Sequence, residues 1–532
     1  MNLITDKWLP VKTKSGSRIK IRPSEITLNF NDDPIIDFDF SRPDFRGSAV
    51  QFLIGLLQTC CIPDSEEKWR TWTKGKNGVP SPNILQASFD KAAFAFNLNG
   101  EGPRFMQDFD LDTKKLESKS IGSLLIDEPG DQTLKLNKDL FVKRNQIEQL
   151  SLPMAALALF ALQLQAPSGG AGHRTSLRGG GPLTTLILPT KQNEDLTLWE
   201  LLWVNILPED QFFDYQNWED EPSKVFPWLT KTITSESSKA VTPMDASPLM
   251  MFWATPRRVC LDFSTAEHGI CSISGQEGLC VKAYYTQNYG ANYTGWQHVL
   301  SPHYKQGSDT LPIHPNAGGM TYKQWLGWIL GDSDRKSPVF QSKNIHYAQT
   351  HRKLSSKNNV IWAFGFDMDN MKARGWQESK IPLLVFDDEA QVKEASGDIR
   401  RALEAADVAS FLLRKQVRTA WNLDSGNMDM IDQEFWSSTQ HAFEDFLNDL
   451  YGLYNQPDPV SQTEKTRLSK AQENWSKVLQ NSILALYDKW TGSGNLEFEN
   501  ISGIIKSRKV LHSRKTINSI RDKIGLPEVK HV

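Results

Sequence analysis

Three groups of residues in this chain have the types and spacing to do chemistry. The densest runs from Gln165 to Thr185 and reads QAPSGGAGHRTSLRGGGPLTT. Its glycines fall in two groups, Gly169, Gly170 and Gly172, then Gly179, Gly180 and Gly181, with His173, Arg174 and Arg178 between them. Glycine takes positive φ without penalty and lets another molecule come close to the backbone. Backbone N–H groups beside three potential phosphate donors make a surface suited to a polyanion. A nucleotide P-loop would need G-x-x-x-x-G-K-[ST]; here Pro167 intrudes and the lysine is missing. A connector without function remains the alternative at this point.

The second group is DMDNMKAR, residues 367–374. Asp367 and Asp369 lie two apart and would suit a metal-binding carboxylate pair, but no H-x-x-E, HNH or other completing pattern accompanies them. The third is Cys260, Cys271 and Cys280 with His268 nearby. Structural zinc generally uses paired C-x₂₋₄-C ligands. In Cys271-Ser272-Ile273-Ser274 the second cysteine is absent. The expectation is therefore no catalytic residue, no metal and no cofactor.

Apolar segments must hold these groups in place. Pro153 to Gln165 reads as a buried helix entering the glycine stretch, and Leu183 to Leu188 as a strand leaving it. Val360 to Phe366 alternates toward a strand, 367–374 reads as its turn, and Ile381 to Phe386 as its return. Residues 1–40 suggest strands, with Arg18, Lys20 and Arg22 on one face and Ile19 and Ile21 on the other. Phe45 to Cys61 is helical, and Phe94 to Leu98 alternates like a strand. Glu117 to Leu150 reads as a long exposed loop carrying Lys135, Lys138, Lys143 and Arg144. Tyr284, Tyr285, Tyr289 and Tyr293 could stack on bases, though packing of an irregular β region is the commoner explanation.

After Asp387 helical patterns dominate, with breaks near 424–426, 455–459 and 492–495. About four antiparallel helices in a bundle follow from that spacing. The last carries Lys506, Arg508, Lys509, Arg514, Lys515, Arg521 and Lys523. The fold class is α+β, with a large irregular mixed domain over 1–385 and a C-terminal four-helix bundle over 386–532.

At 532 residues the chain has room for two or more domains. No apolar run approaches the roughly 20 residues that span a bilayer, so no membrane is expected. MNLITDKW has no secretion-signal pattern. Five cysteines in this length fit a reducing cytoplasm better than a disulfide framework. Net charge is −3, from 60 basic and 63 acidic side chains. Such a balance does not advertise a nucleic-acid binder, yet affinity comes from local phosphate contacts. Weak DNA binding alone, and better binding beside basic partners, would fit it.

A family resemblance rests on an ordered set of segments. QAP, the glycine cluster, SLRGG and P-x-T-T are joined by MNLITDKWLPV, FNLNGEGPRFMQ, FWATPRR, CSISGQEG and GFDMDNMKAR. Together they resemble the CasA family, the large subunits of the subtype I-E CRISPR surveillance complex Cascade. The resemblance runs from the first residue into the helical region. It implies a non-catalytic DNA-recognition subunit that reads the PAM, the short motif beside the target, from the minor-groove side. It also implies partners: the other Cascade subunits with guide RNA, a double-stranded DNA target, and the CRISPR helicase-nuclease. By position, Gly169, Gly170, Gly172 and Arg174 fall in the DNA-reading loop, and Asn370, Met371 and Lys372 at the tip of a hairpin wedge. The 117–150 segment matches a loop that reaches toward guide and target. The rival from another class is a metal- or nucleotide-dependent nucleic-acid enzyme using Asp367, Asp369 and the glycine loop.

Overall fold

In the computed structural model the described residues are 1–73, 78–139, 144, 146–167, 169–170, 172–190, 196–212, 215–316, 319–354, 356–369, 372–455, 462–492 and 501–529. They form two units. The first comprises Met1–Ala317, Ser342–Tyr347 and Lys357–Glu378; the second comprises Gly318–Gln341, Ala348–Ser356 and Ser379–Val532.

The first unit begins with a small antiparallel sheet, in which Leu9–Thr13 pairs with Arg18–Ile21 on one side and Ile35–Phe38 on the other. Alternation turns Leu9, Val11, Ile21 and Phe38 inward and leaves Arg18 and Lys20 exposed; Ile19, on the edge strand, is exposed as well. Helix Pro43–Cys60 follows, opened by a proline at its first turn, where the missing N–H costs nothing. Its Phe52 is the hub of the core. That ring meets Trp8, Phe96, Phe105, Phe160 and Trp253 at centroid distances of 5.4 to 5.9 Å, all near-perpendicular. Edge-to-face packing of this kind satisfies the ring quadrupoles.

Phe160 belongs to helix Leu152–Gln165, which is apolar all round and buried on nearly every side. The glycine stretch starts where this helix ends. The strand that leaves it, Thr184–Pro189, pairs antiparallel with Asn359–Asp369, Trp362 opposite Leu186 and Phe364 opposite Thr184. Lys372–Pro382 runs back along the far side of Asn359–Asp369.

The structure departs from the sequence reading in three places here. Phe94–Leu98 is no strand: Ala93–Ala95 is a 3-10 turn and Asn97 makes an isolated bridge to Asn2, whose side chain donates to Ala93 O and Asn97 Oδ1. The 117–150 segment is not loop throughout: Lys119–Ser120 pairs with Ala283–Tyr284, and Ile121, Leu124 and Leu125 are buried. The strands of the hairpin continue through most of 367–374, which leaves only 370–371 between them.

In the second unit the helices Glu389–Ala420, Asp429–Tyr454 and Gln462–Gly492 are long. The expected fourth is two helices, Ile501–Leu511 and Arg514–Ile524. Ser513 starts the second of these by accepting the Thr516 N–H at 3.4 Å, and Gly525 ends it at φ 83°. Tyr322 stacks on Phe443 at 4.4 Å and hydrogen-bonds Thr439 Oγ1 at 2.8 Å, while Trp475 Nε1 donates to Ala402 O at 3.0 Å. The fold class is thus mixed α+β with a C-terminal helical region. Among the last cations, Arg508 pairs with Asp488 and Arg521 with Glu473, whereas Lys506, Lys509, Lys515 and Lys523 are exposed.

Candidate nucleic-acid interface

The glycine stretch is a folded loop with its own hydrogen bonds. Gly169 N–H donates to His173 O at 3.3 Å and His173 N–H to Gly170 O at 3.1 Å. Ser176 N–H donates to Ala166 O, and Gly181 N–H to Gln165 O. Among the described residues, the N–H groups of Gly170 and Gly172 find no internal acceptor, and Gly170 is exposed. Those two amides are open to a polyanion.

Two neighbours hold the stretch. Gly172 O accepts from Tyr289 N at 2.8 Å and from Gly290 N at 3.2 Å, and Gly172 itself has φ 82°. A β-carbon there would stand 2.7 Å from Tyr289 N, so both the dihedral and the approach require glycine. At the other end, a β-carbon on Gly181 would collide with Phe366 O, and one on Gly365 would lie 2.5 Å from Pro182 O. The glycine stretch and the base of the hairpin therefore touch backbone to backbone. Sequence position alone, some 180 residues apart, could not show that.

The hairpin is braced along its length. Arg374 grips Asp367 in a two-point pair, Nε to Oδ2 at 2.9 Å and Nη2 to Oδ1 at 2.7 Å, and the Asp367 carboxylate is buried. Trp376 packs on Phe364 and Phe366, and a β-carbon at Gly47 would meet its indole at 2.8 Å. Asp367 is thus paired with Arg374 inside the hairpin. Of the expected tip residues, Lys372 is exposed; Asn370 and Met371 lie outside the described residues.

The cations of the stretch are not equivalent. Arg174 is half-buried and its Nε donates to Ser235 Oγ at 2.7 Å. Arg178, expected as a phosphate donor, is instead buried: its guanidinium donates to Gln51 Oε1 at 2.6 Å, Thr184 Oγ1 at 2.9 Å and Ser301 Oγ at 3.1 Å. His173 is half-buried, and burial, helped by Arg257 and Lys119, holds it down at about 4. Its ring is neutral at pH 7 and brings no positive charge to a phosphate. In the 117–150 segment Lys135 and Lys138 are exposed. Arg144 is occupied by Asp139, Leu134 O and Asn137, and Lys143 lies outside the described residues.

The sequence reading named Tyr289 but not its place: the segment Gln287–Tyr289 is exposed and lies beside Gly172. Tyr289 sits at φ 60°, a costly conformation for a residue with a β-carbon. The only hint in the sequence is Tyr289 before Gly290, in a run of aromatic and amide residues. Gly290 is forced by close approach to Pro256 O. Cys280 feels the charge of Cys271, but among the described residues no three His, Cys, Asp or Glu are grouped to hold a metal ion, and Arg104 Nη2 donates to Cys260 at 3.0 Å. Burial alone would raise the Cys271 thiol, but hydrogen bonds from Ser151 and Ser274 bring it below its ordinary value. Ser274 stands where a second ligand would be needed.

The family model for CRISPR-associated protein Cse1 matches residues 2–486. The chain belongs to the Cse1 family. Solved structures agree in fold. The crystal structure of Thermobifida fusca Cse1 is 12% identical with a TM-score of 0.66, covering 99% of this chain and 98% of that one. Thermus thermophilus CasA (Cse1) is 14% identical with a TM-score of 0.63, covering 96% and 98%. A chain of a CRISPR RNA-guided surveillance complex is 14% identical with a TM-score of 0.65, covering 96% and 99%. At these identities it is the Cse1 architecture that is shared; the side chains of the interface are this chain's own.

Close to Arg178 lie three histidines, His298 and His303 buried and His314 half-buried, whose titration should be visible in stability. His303 is 6% exposed, and burial, then Arg178, lowers it to about 4; His298 is also driven down and His314 is lowered. An imidazole near 6.5 in the unfolded chain and about 4 when folded binds more protons unfolded. Its contribution is present in full above pH 6.5 and is lost as pH falls toward 4, about 3 kcal/mol for His303. Urea midpoints at pH 7.5 and 5.0 should therefore differ more for wild type than for His303→Gln. Equal differences in the two proteins would show that this ring does not carry the effect.

Proposed function

We propose that this chain is the non-catalytic large subunit of a type I-E Cascade complex, working in the cytoplasm. In this reading it recognises a PAM in double-stranded DNA, helps open the first base pairs for guide RNA, and presents a surface to the helicase-nuclease. Membership of the Cse1 family supports the subunit role, since a relative of the same architecture is part of an RNA-guided surveillance complex. The observation that carries the finer reading is the backbone contact of the glycine stretch with the hairpin, at Gly181 against Phe366 O and Gly365 against Pro182 O.

A loop of open amides and a rigid hairpin, joined at their bases, can grip a duplex and enter it in one act. Gly170 and Gly172 supply backbone donors, which suit a loosely specified groove better than a bidentate arginine would. Arg174, Lys372, Lys135 and Lys138 would meet phosphates, which position the duplex without reading it. Sequence itself would be read by pairing with the guide.

Co-purification tests the partners. The tagged chain, expressed with the other subunits and a guide, should bring down both; recovery of the chain alone would sink the subunit role. The assembled complex should then shift a motif-bearing duplex at a lower concentration than a motif-scrambled one. Equal shifts would remove the recognition role while leaving the subunit role standing.

A further inference from the structure

The arginines of the first unit mostly follow one rule. Arg42 pairs with Asp44, Arg46 with Asp37, Arg258 with Asp108 and Arg374 with Asp367. Arg104, which meets Cys260, and Arg174, which meets Ser235, are outside that rule, and so are the two arginines packed under the glycine stretch. Arg178 is 2% exposed, and its partners Gln51, Thr184 and Ser301 are all neutral. Arg257 donates to Pro167 O, and its buried Nε has no partner among the described residues. It also stands beside Gly169, where an added β-carbon would be 3.0 Å from its Nη1. Neither has a carboxylate partner among the described residues.

Burying a guanidinium without a countercharge is expensive, a cost that falls in full on Arg178 and in part on Arg257, which is half-buried with its Nε enclosed. The fold could have avoided that cost at position 51, where glutamate is the isostere of Gln51. We infer that Arg178 and Arg257 are positioning charges, left unneutralised so that the glycine stretch above them is electropositive toward a phosphate backbone that neither side chain touches. Both remain cations at neutral pH, since burial lowers them only to about 9 and about 10. His298, His303 and His314, lowered by burial, are neutral rings, so the positive charge under the stretch comes from the two arginines. In a low-dielectric setting a fixed charge acts over longer range than one in water. The glycines add no side chains of their own above these charges. The ligand class is a polyanion, and within the proposed role it is duplex DNA; the inference rests on that reading of the glycine stretch.

The test uses the full chain assembled with its guide-loaded partner subunits, titrated with a motif-bearing duplex at low and high salt. Gln51→Glu puts a carboxylate where Arg178 Nη2 already bonds, and beside a guanidinium it stays ionised. Binding at low salt should weaken about fivefold, with the gap closing as salt rises, while the melting temperature stays level or rises. A purely structural Arg178 would gain an ion pair and lose no affinity. Arg257→Gln keeps a donor for Pro167 O, removes the second charge, and should weaken binding in the same direction; it decides the matter if Gln51→Glu does not fold. Wild-type affinity in both variants overturns the inference. If Gly170→Asp in the same assay does weaken binding, the loop still meets DNA and only the buried charges are acquitted. If it also binds as wild type, the reading of the loop falls with them.

Discussion

Gly170→Asp should cost about tenfold or more in affinity for a motif-bearing duplex while leaving the melting temperature unchanged. Gly170 is exposed, and a β-carbon built on it meets nothing within 4 Å. The fold therefore tolerates the new side chain, and what changes is the surface. A carboxylate beside the open amides of Gly170 and Gly172 repels a phosphate where those amides would have donated to it. Gly170→Asn has the same size without the charge, so it separates repulsion from bulk. Gly172→Asp is a poorer probe, because φ 82° and Tyr289 N at 2.7 Å mean that any side chain there disturbs the loop itself. A target whose first base pairs are already open should suffer less than an intact duplex. Unchanged duplex affinity with unchanged melting would take the loop out of the interface.

What the sequence revealed was whatever is local. Helix Pro43–Cys60, helix Leu152–Gln165 and strand Thr184–Pro189 are visible because their apolar runs and end signals lie within the segment itself. Even there periodicity has limits. In helix Glu389–Ala420, Phe411 lies twelve residues on from Ile399, which rotates it about 120° from that buried side chain. It is 56% exposed, and Ala409 and Leu413 take the inner face. The split at Ser513 was legible in principle, since serine ahead of Arg-Lys-Thr is a helix start. The candidate interface was half legible. Glycine clustering marked the loop, and family order marked the hairpin. Nothing local distinguishes buried Arg178 from half-buried Arg174, four residues away; that difference is made by Gln51, Thr184 and Ser301, drawn from three separate parts of the chain. The contact between loop and hairpin is likewise tertiary, as is the strained backbone of Tyr289.

Replacing Asn370, Met371 and Lys372 with glycines should spare motif binding but slow opening of the duplex about tenfold or more. Unstacking a base step costs a few kcal/mol, and a hairpin can drive it only if the tip holds its position under load. The strands below the tip meet that condition. The Asp367–Arg374 pair ties one strand to the other, and Trp376 is wedged between the hairpin's own Phe364 and Phe366 and the backbone of Gly47. Glycines leave this brace intact and remove only what would enter the stack. The rate of R-loop formation, followed with a fluorescent base beside the motif, separates grip from prising. A target already mismatched at that step needs no prising, so it should restore the wild-type rate to the glycine variant. Lys372→Ala alone should instead lower affinity for all duplexes alike and flatten the salt dependence, as loss of one phosphate contact does. If the glycine variant opens matched and mismatched targets at the wild-type rate, the hairpin is a structural turn. Its rigidity would then serve only to seat the glycine stretch on Phe366 and Pro182.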